Sequence, residues 1–154
     1  MPGLALACAA VALAAGCSRA SEPGAPAPAK GQAHAAAPVL RWETDESAAR
    51  ARAKREGRPL VIDFRSEWCA PCQELEAKTF ADAEVARFLA TRTVALRVDV
   101  TEMTDALEAL MQKYRVQVLP AIIFLDAAGA ERGRIIDYAK PAQFLARARE
   151  LLGD

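Results

Sequence analysis

The chain has 154 residues, with 20 basic side chains against 20 acidic ones and 53% hydrophobic residues. A balanced charge excludes a nucleic-acid binder that relies on surplus positive potential, and the length suits one ordinary domain plus an appendage. The densest basic stretch, Arg50, Arg52, Lys54, Arg55 and Arg58, fits the solvated face of a helix.

Met1 to Gly16 carry no charged side chain and form a small, apolar run. A membrane span needs about 20 such residues, so residues 1–16 read as a secretion signal. Its end, Leu13-Ala14-Ala15-Gly16-Cys17-Ser18, resembles the lipobox of bacterial lipoproteins, and that resemblance implies lipidation of Cys17. Two features depart from the lipobox pattern: no Lys or Arg precedes the run, and Ala14 stands where Leu is commonest. An ordinary signal peptide cut nearby, or a misassigned start codon, is the alternative. With a signal of either kind the mature protein works outside the cytoplasm, where disulfides persist and a dithiol needs its own electron supply.

Residues 17–38 are dominated by Ala, Pro, Gly and Ser without apolar periodicity, which predicts a flexible tether that includes His34 as a solvated residue. The folded domain is expected over 39–154. Thr44 or Asp45 caps a first helix, Glu46 to Glu56, which Gly57 ends. Leu60 to Arg65 is a short apolar run, as expected of a strand covered on both faces.

Cys69-Ala70-Pro71-Cys72 follows where that strand hands over to a helix. Unpaired N–H groups and the macrodipole at a helix N-terminus favour an anion, so Cys69 is a candidate thiolate nucleophile. Cys72 lies one turn on, on the same side, and two sulfurs so placed can close a disulfide and exchange it with a partner. Half a zinc site is the other reading of such a pair. A structural zinc takes about four ligands, and the folded part offers no further Cys and no His, since Cys8, Cys17 and His34 all precede it.

Helix continues over Gln73 to Thr79, bends near Phe80-Ala81, and resumes behind an Asp82 cap with Val85, Phe88 and Leu89 on one face. Val94 to Val100 reads as a strand. Thr104 caps a helix whose Leu107, Leu110, Met111 and Tyr114 form a core stripe. Ala121 to Leu125 and Glu131 to Asp137 form a hairpin across Asp126-Ala127-Ala128-Gly129, and Pro141 opens the last helix. Strands separated by helices predict parallel pairs, with the closing hairpin as an antiparallel edge.

Val61-Ile62-Asp63-Phe64 and Glu67-Trp68-Cys69-Ala70-Pro71-Cys72 place an acid six residues before the first cysteine and a Trp directly before it. With Glu74 to Phe80, Val98-Asp99-Val100-Thr101 and Val118-Leu119-Pro120, the stretch from Leu60 to Leu152 resembles the thioredoxin superfamily. Within it, the match is most similar to the C-terminal periplasmic domain of DsbD, the thiol:disulfide interchange protein. The resemblance implies an α/β thioredoxin fold, a central mixed β-sheet flanked by helices on both faces. It implies a cis Pro120 facing the cysteines, with the Leu119 backbone, Trp68, Ala70 and Pro71 contacting substrate.

The activity implied is extracytoplasmic thiol–disulfide exchange, as a reductase or interchange protein: Cys69 attacks, Cys72 resolves, and Asp63 moves the proton. A carboxylate in an apolar strand is costly to bury, so desolvation should raise its pKa and let it accept the Cys72 proton. A strand-end carboxylate reaching water is the alternative. Trp68 either packs beside the site and shields it or belongs to the core. Ala70-Pro71 lacks the histidine that makes oxidants of some relatives.

No flavin, nicotinamide or metal motif appears, so no cofactor is expected. The implied partners are disulfide-containing periplasmic proteins and an upstream membrane or periplasmic dithiol donor. The protein is expected to be a monomer in the periplasm, anchored by lipid, and Ser18 is compatible with the outer membrane. Two alternatives stay open: a soft-metal module holding Cu(I) on Cys69 and Cys72, and a noncatalytic interaction domain. Against the first, Met103 and Met111 fall in or near the third helix rather than at the cysteine pair.

Overall fold

Alternation along one strand sets the layers of this domain. The computed structural model describes residues 39–153; the signal over 1–16, the lipidation of Cys17 and the tether over 17–38 lie outside the described residues. Among the described residues the elements run β1 (Trp42–Glu43), α1 (Glu46–Glu56), β2 (Leu60–Arg65), α2 (Ala70–Glu74), α3 (Ala83–Arg92), β3 (Val94–Asp99), α4 (Asp105–Lys113), β4 (Ala121–Leu125), β5 (Glu131–Ile136) and α5 (Pro141–Leu152). In the central strand, Leu60, Ile62 and Phe64 point to a core shared with Ala49 and Ala53 of α1 and the half-buried Leu107, Leu110 and Met111 of α4. Val61 points the opposite way, into a second core with Leu75, Val85, Leu89, Phe124, Phe144 and Ala148. One β-strand thus feeds two apolar layers, and Asp63 shares the second layer's face with Val61.

The sheet order is β1-β3-β2-β4-β5. β3 runs parallel to β1 and to β2, with Asp63 opposite Arg97 and Arg65 opposite Asp99. β4 runs antiparallel to both β2 and β5. The mixed sheet with helices on both faces is as expected, but the expected parallel β2–β4 relation is not found. A parallel crossover must return the chain to the far end of the sheet. Here Ala121 pairs with Phe64, next to the Arg65–Asp99 pair where β3 leaves, so the chain re-enters at the end it left. β1 was not legible in the sequence, because two residues carry no period.

Local chemistry accounts for the boundaries. Asp45, Asp82 and Thr104 each accept backbone N–H groups at the starts of α1, α3 and α4, and Gly57 closes α1 at φ 63°. Between α2 and α3 the chain makes a π-helical turn, Leu75–Phe80. Its extra residue per turn brings Leu75, Thr79 and Phe80 all to the buried side, where Thr79 donates to the Ala139 carbonyl at 2.6 Å.

Phe144 joins the second core by meeting Phe80 edge-on at 5.7 Å and Phe124 at 6.0 Å between ring centroids. Phe124 is fully buried. Phe124→Ala is therefore expected to lower the unfolding free energy by about 3–5 kcal/mol in a denaturant titration, through lost burial plus the cavity left behind.

Candidate active site

Past Arg65 the chain turns through Ser66-Glu67-Trp68 and enters α2 with Cys69 as its N-cap. The turn is tied to the end of β3: the Glu67 N–H donates to Thr101 Oγ1 at 2.8 Å, and Asp99 accepts the Thr101 N–H at 2.9 Å while pairing with Arg65 at 2.9 Å. Gln73 of α2 donates back to the Glu67 carbonyl at 2.5 Å. These bonds fix the point at which α2 begins, and hence where its first side chain lies. Cys69 Sγ accepts the Cys72 N–H at 3.3 Å, the helix-end contact that favours negative charge on this sulfur. The two cysteines form a disulfide with S–S 2.08 Å and Cα–Cα 5.2 Å.

Both cysteines are buried, Cys69 at 6% and Cys72 at 3% exposure, and what separates them is the surface each borders. Cys69 borders an open groove of about 460 Å³, with Trp68, Ala70 and Pro71 on its own side and Val118 and Leu119 across from it. Cys72 does not line this groove and is 3% exposed. Trp68 is 67% exposed and Val118 55%, so the groove presents apolar side chains to solvent. Core packing of Trp68 is thereby excluded. The Leu119–Pro120 peptide bond is cis, as expected, with Leu119 on the groove and Pro120 buried behind it. Met103 and Met111 also line the groove beside Cys69, although sequence position separates them from the cysteines. The loop after β3 and one face of α4 carry them there.

Asp63 is 2% exposed, so the strand-end carboxylate reaching water is not what the fold builds. Burial pushes its pKa from the ordinary 3.8 up to about 6, against the opposing pull of the Arg97 guanidinium. Arg97 Nε donates to Asp63 Oδ2 at 3.2 Å, and its Nη2 donates to the half-exposed Glu76. Arg97 escaped sequence analysis. The available signal was a lone cation on the inward parity of a buried strand, where an uncompensated charge is costly.

Residues 41–127 match the family model described as Thioredoxin-like. The chain belongs to the thioredoxin-like family. This thioredoxin-like chain is 39% identical over 123 residues to the thiol:disulfide interchange protein DsbD of Cronobacter sakazakii, covering 79% of its own length and 21% of that protein. It thus spans about one fifth of the curated relatives it matches. Among solved structures it is similar to a thioredoxin from Thermus thermophilus, with TM-score 0.64 and 34% identity over 73% of this chain and 87% of that one. The C-terminal domain of Neisseria meningitidis DsbD in its oxidised form shares the fold, with TM-score 0.62 and 23% identity over 71% and 98% of the two chains. The family and the paired cysteines make this thioredoxin-like chain a thiol–disulfide oxidoreductase. Among the described residues no helix is long and apolar enough to cross a membrane.

Proposed function

We propose that this domain is a periplasmic protein-disulfide reductase or interchange protein, held at a membrane by lipid on Cys17. Cys69 thiolate attacks a substrate disulfide, bonds one substrate sulfur and releases the other as thiolate. Cys72 then yields its proton to Asp63 and attacks Cys69, which frees the second substrate thiolate and leaves the Cys69–Cys72 disulfide. Two electrons pass to the substrate, and an upstream dithiol restores the pair. The single observation carrying this order is that Cys69 lines the groove and Cys72, buried like it, does not. Trp68, Ala70, Pro71 and Leu119 form the walls against which an extended substrate segment lies, and Pro120 backs them. The interchange role draws on the name of the DsbD relatives, and the anchor on the Leu13-to-Ser18 lipobox pattern.

Two measurements test this. With dithiothreitol as electron source, the full chain should accelerate the precipitation of reduced insulin. Equilibrated against glutathione buffers, its cysteine pair should show a potential more negative than about −200 mV, nearer thioredoxin than the oxidant DsbA at about −120 mV. No acceleration, or a potential at the oxidant end, sinks the reductase assignment.

One observation favours a second reading. Met103 and Met111 share the groove with Cys69, and thioethers with a thiolate suit Cu(I). Capture of Cu(I) by the reduced protein that is lost in Met103→Leu would support that reading over exchange.

A further inference from the structure

Among the described residues three buried side-chain nitrogen or oxygen atoms have no hydrogen-bond partner: Arg58 Nε, Arg65 Nε and Ser66 Oγ. The two arginines are satisfied at their other nitrogens, Arg58 through the Ala90 and Thr93 carbonyls and Arg65 through Asp99 at 2.9 Å. Ser66 alone has its whole side-chain capacity unused, at 0% exposure. A hydroxyl sealed from water without a partner is costly, and an alanine of nearly the same shape would avoid that cost. This one stands at the turn that delivers Cys69. The Cys69 N–H donates to the Ser66 carbonyl at 3.4 Å, closing a turn that holds the two Cα atoms within about 7 Å. Strand pairing persists to Arg65, whose carbonyl accepts the Val100 N–H at 2.9 Å, so alternation along β2 places Ser66 on the face of Ile62 and Phe64, opposite Asp63. The groove opens from that face, because Val100, Met111 and Leu119 belong both to its core and to the groove wall beside Cys69. Ser66 and Cys69 are therefore buried on one side of one turn, at a separation that two short side chains bridge.

We propose that the Ser66 hydroxyl is the hydrogen-bond donor that the Cys69 thiolate meets when the disulfide is reduced. This rests on the reading of Cys69 as the attacking sulfur. In the disulfide the two sulfurs are bonded to each other and accept weakly, and the hydroxyl makes no bond. Reduction adds two electrons and one proton: the S–S bond breaks, Cys72 takes the proton as a thiol, and Cys69 keeps the charge. The hydroxyl then gains a charge-assisted hydrogen bond without giving up its own proton. An unpartnered hydroxyl thus destabilises the oxidised form and not the thiolate form, which draws the pair toward dithiol and Cys69 toward thiolate. Other charges leave this role open. The groove wall carries no ionisable side chain besides Cys69. Arg65 is paired with Asp99, Glu67 is exposed, and Asp63 lies on the opposite face of β2.

The test uses the full chain. Alkylation of Cys69 by iodoacetamide is followed from about pH 5 to about pH 10, and the dithiol–disulfide equilibrium is measured against glutathione over the same range. Ser66→Ala should raise the alkylation midpoint by about one pH unit, a tenfold loss of thiolate preference. Above both midpoints its equilibrium should lie about tenfold further toward the disulfide, a potential about 30 mV more negative. Below both midpoints it should coincide with wild type, since no thiolate is present to be served. A packing role alone would shift the equilibrium equally at every pH, and that result overturns the proposal, as does an alkylation midpoint left unmoved. In urea the oxidised Ser66→Ala protein should be at least as stable as wild type. A less stable one, or one that does not fold, shows that the hydroxyl already has a partner in the disulfide form and overturns the proposal as well. Failure of the attacking-sulfur reading looks different: Cys69→Ser would then retain insulin reduction, while the Ser66→Ala measurements still report on the Cys69 sulfur.

Discussion

Cys69→Ser is expected to bring insulin reduction down to the uncatalysed rate, whereas Cys72→Ala should retain the first attack and stall after it. The difference follows from access and from electron balance. Only Cys69 borders the groove, so a hydroxyl in its place leaves no thiolate that a substrate disulfide can meet. Cys72 is buried and off the groove, so in the proposed order it meets the mixed disulfide from within. Replacing it with Ala removes the intramolecular thiol that competes for Cys69, so the substrate remains covalently bound. Non-reducing electrophoresis of Cys72→Ala after reaction with a disulfide protein should show a band at the summed mass that collapses with dithiothreitol. The same band from Cys69→Ser, with none from Cys72→Ala, would reverse the roles of the two sulfurs.

What could be read in the chain, and what could not, divides along physical lines. The caps at Asp82 and Thr104, the Pro141 start and the Ala121–Leu125 strand were legible because each depends on a few adjacent residues. Asp63 was legible as a buried acid because a single carboxylate interrupts the apolar run Leu60–Phe64. The direction of β4 was not legible, since a helix between two strands permits either sense and only the end at which the chain re-enters decides. Nor were the groove methionines or the Arg97 pairing with Asp63 and Glu76 legible. Those groups come from β2, β3, the π-helical turn and the segments around α4, and no spacing within one element records that they meet. The paired cysteines lie in one short motif, while the groups that line the groove and surround Asp63 are scattered along the chain.

Asp63→Asn should make the protein more stable at neutral pH and a poorer catalyst. The folded-state pKa is raised, from 3.8 to about 6, so the folded state binds this proton more tightly than the unfolded chain does. The associated stabilisation is fully present below about pH 4 and is lost as pH rises through 6, so at pH 7 the wild type carries a buried charge. That gap corresponds to on the order of 3 kcal/mol, at about 1.4 kcal/mol per pH unit, and a neutral amide of similar shape avoids most of it. Urea unfolding should therefore show Asp63→Asn more stable than wild type by up to about 3 kcal/mol at pH 7, with the advantage shrinking between pH 6 and 4. In the proposed mechanism the same substitution removes the acceptor of the Cys72 proton, and exchange should then slow on the order of 10²-fold, the lower end for a lost general base. A variant that is less stable at pH 7, by an amount independent of pH, would mean that Asp63 is a structural anchor for Arg97 rather than a carboxylate kept under strain for proton transfer.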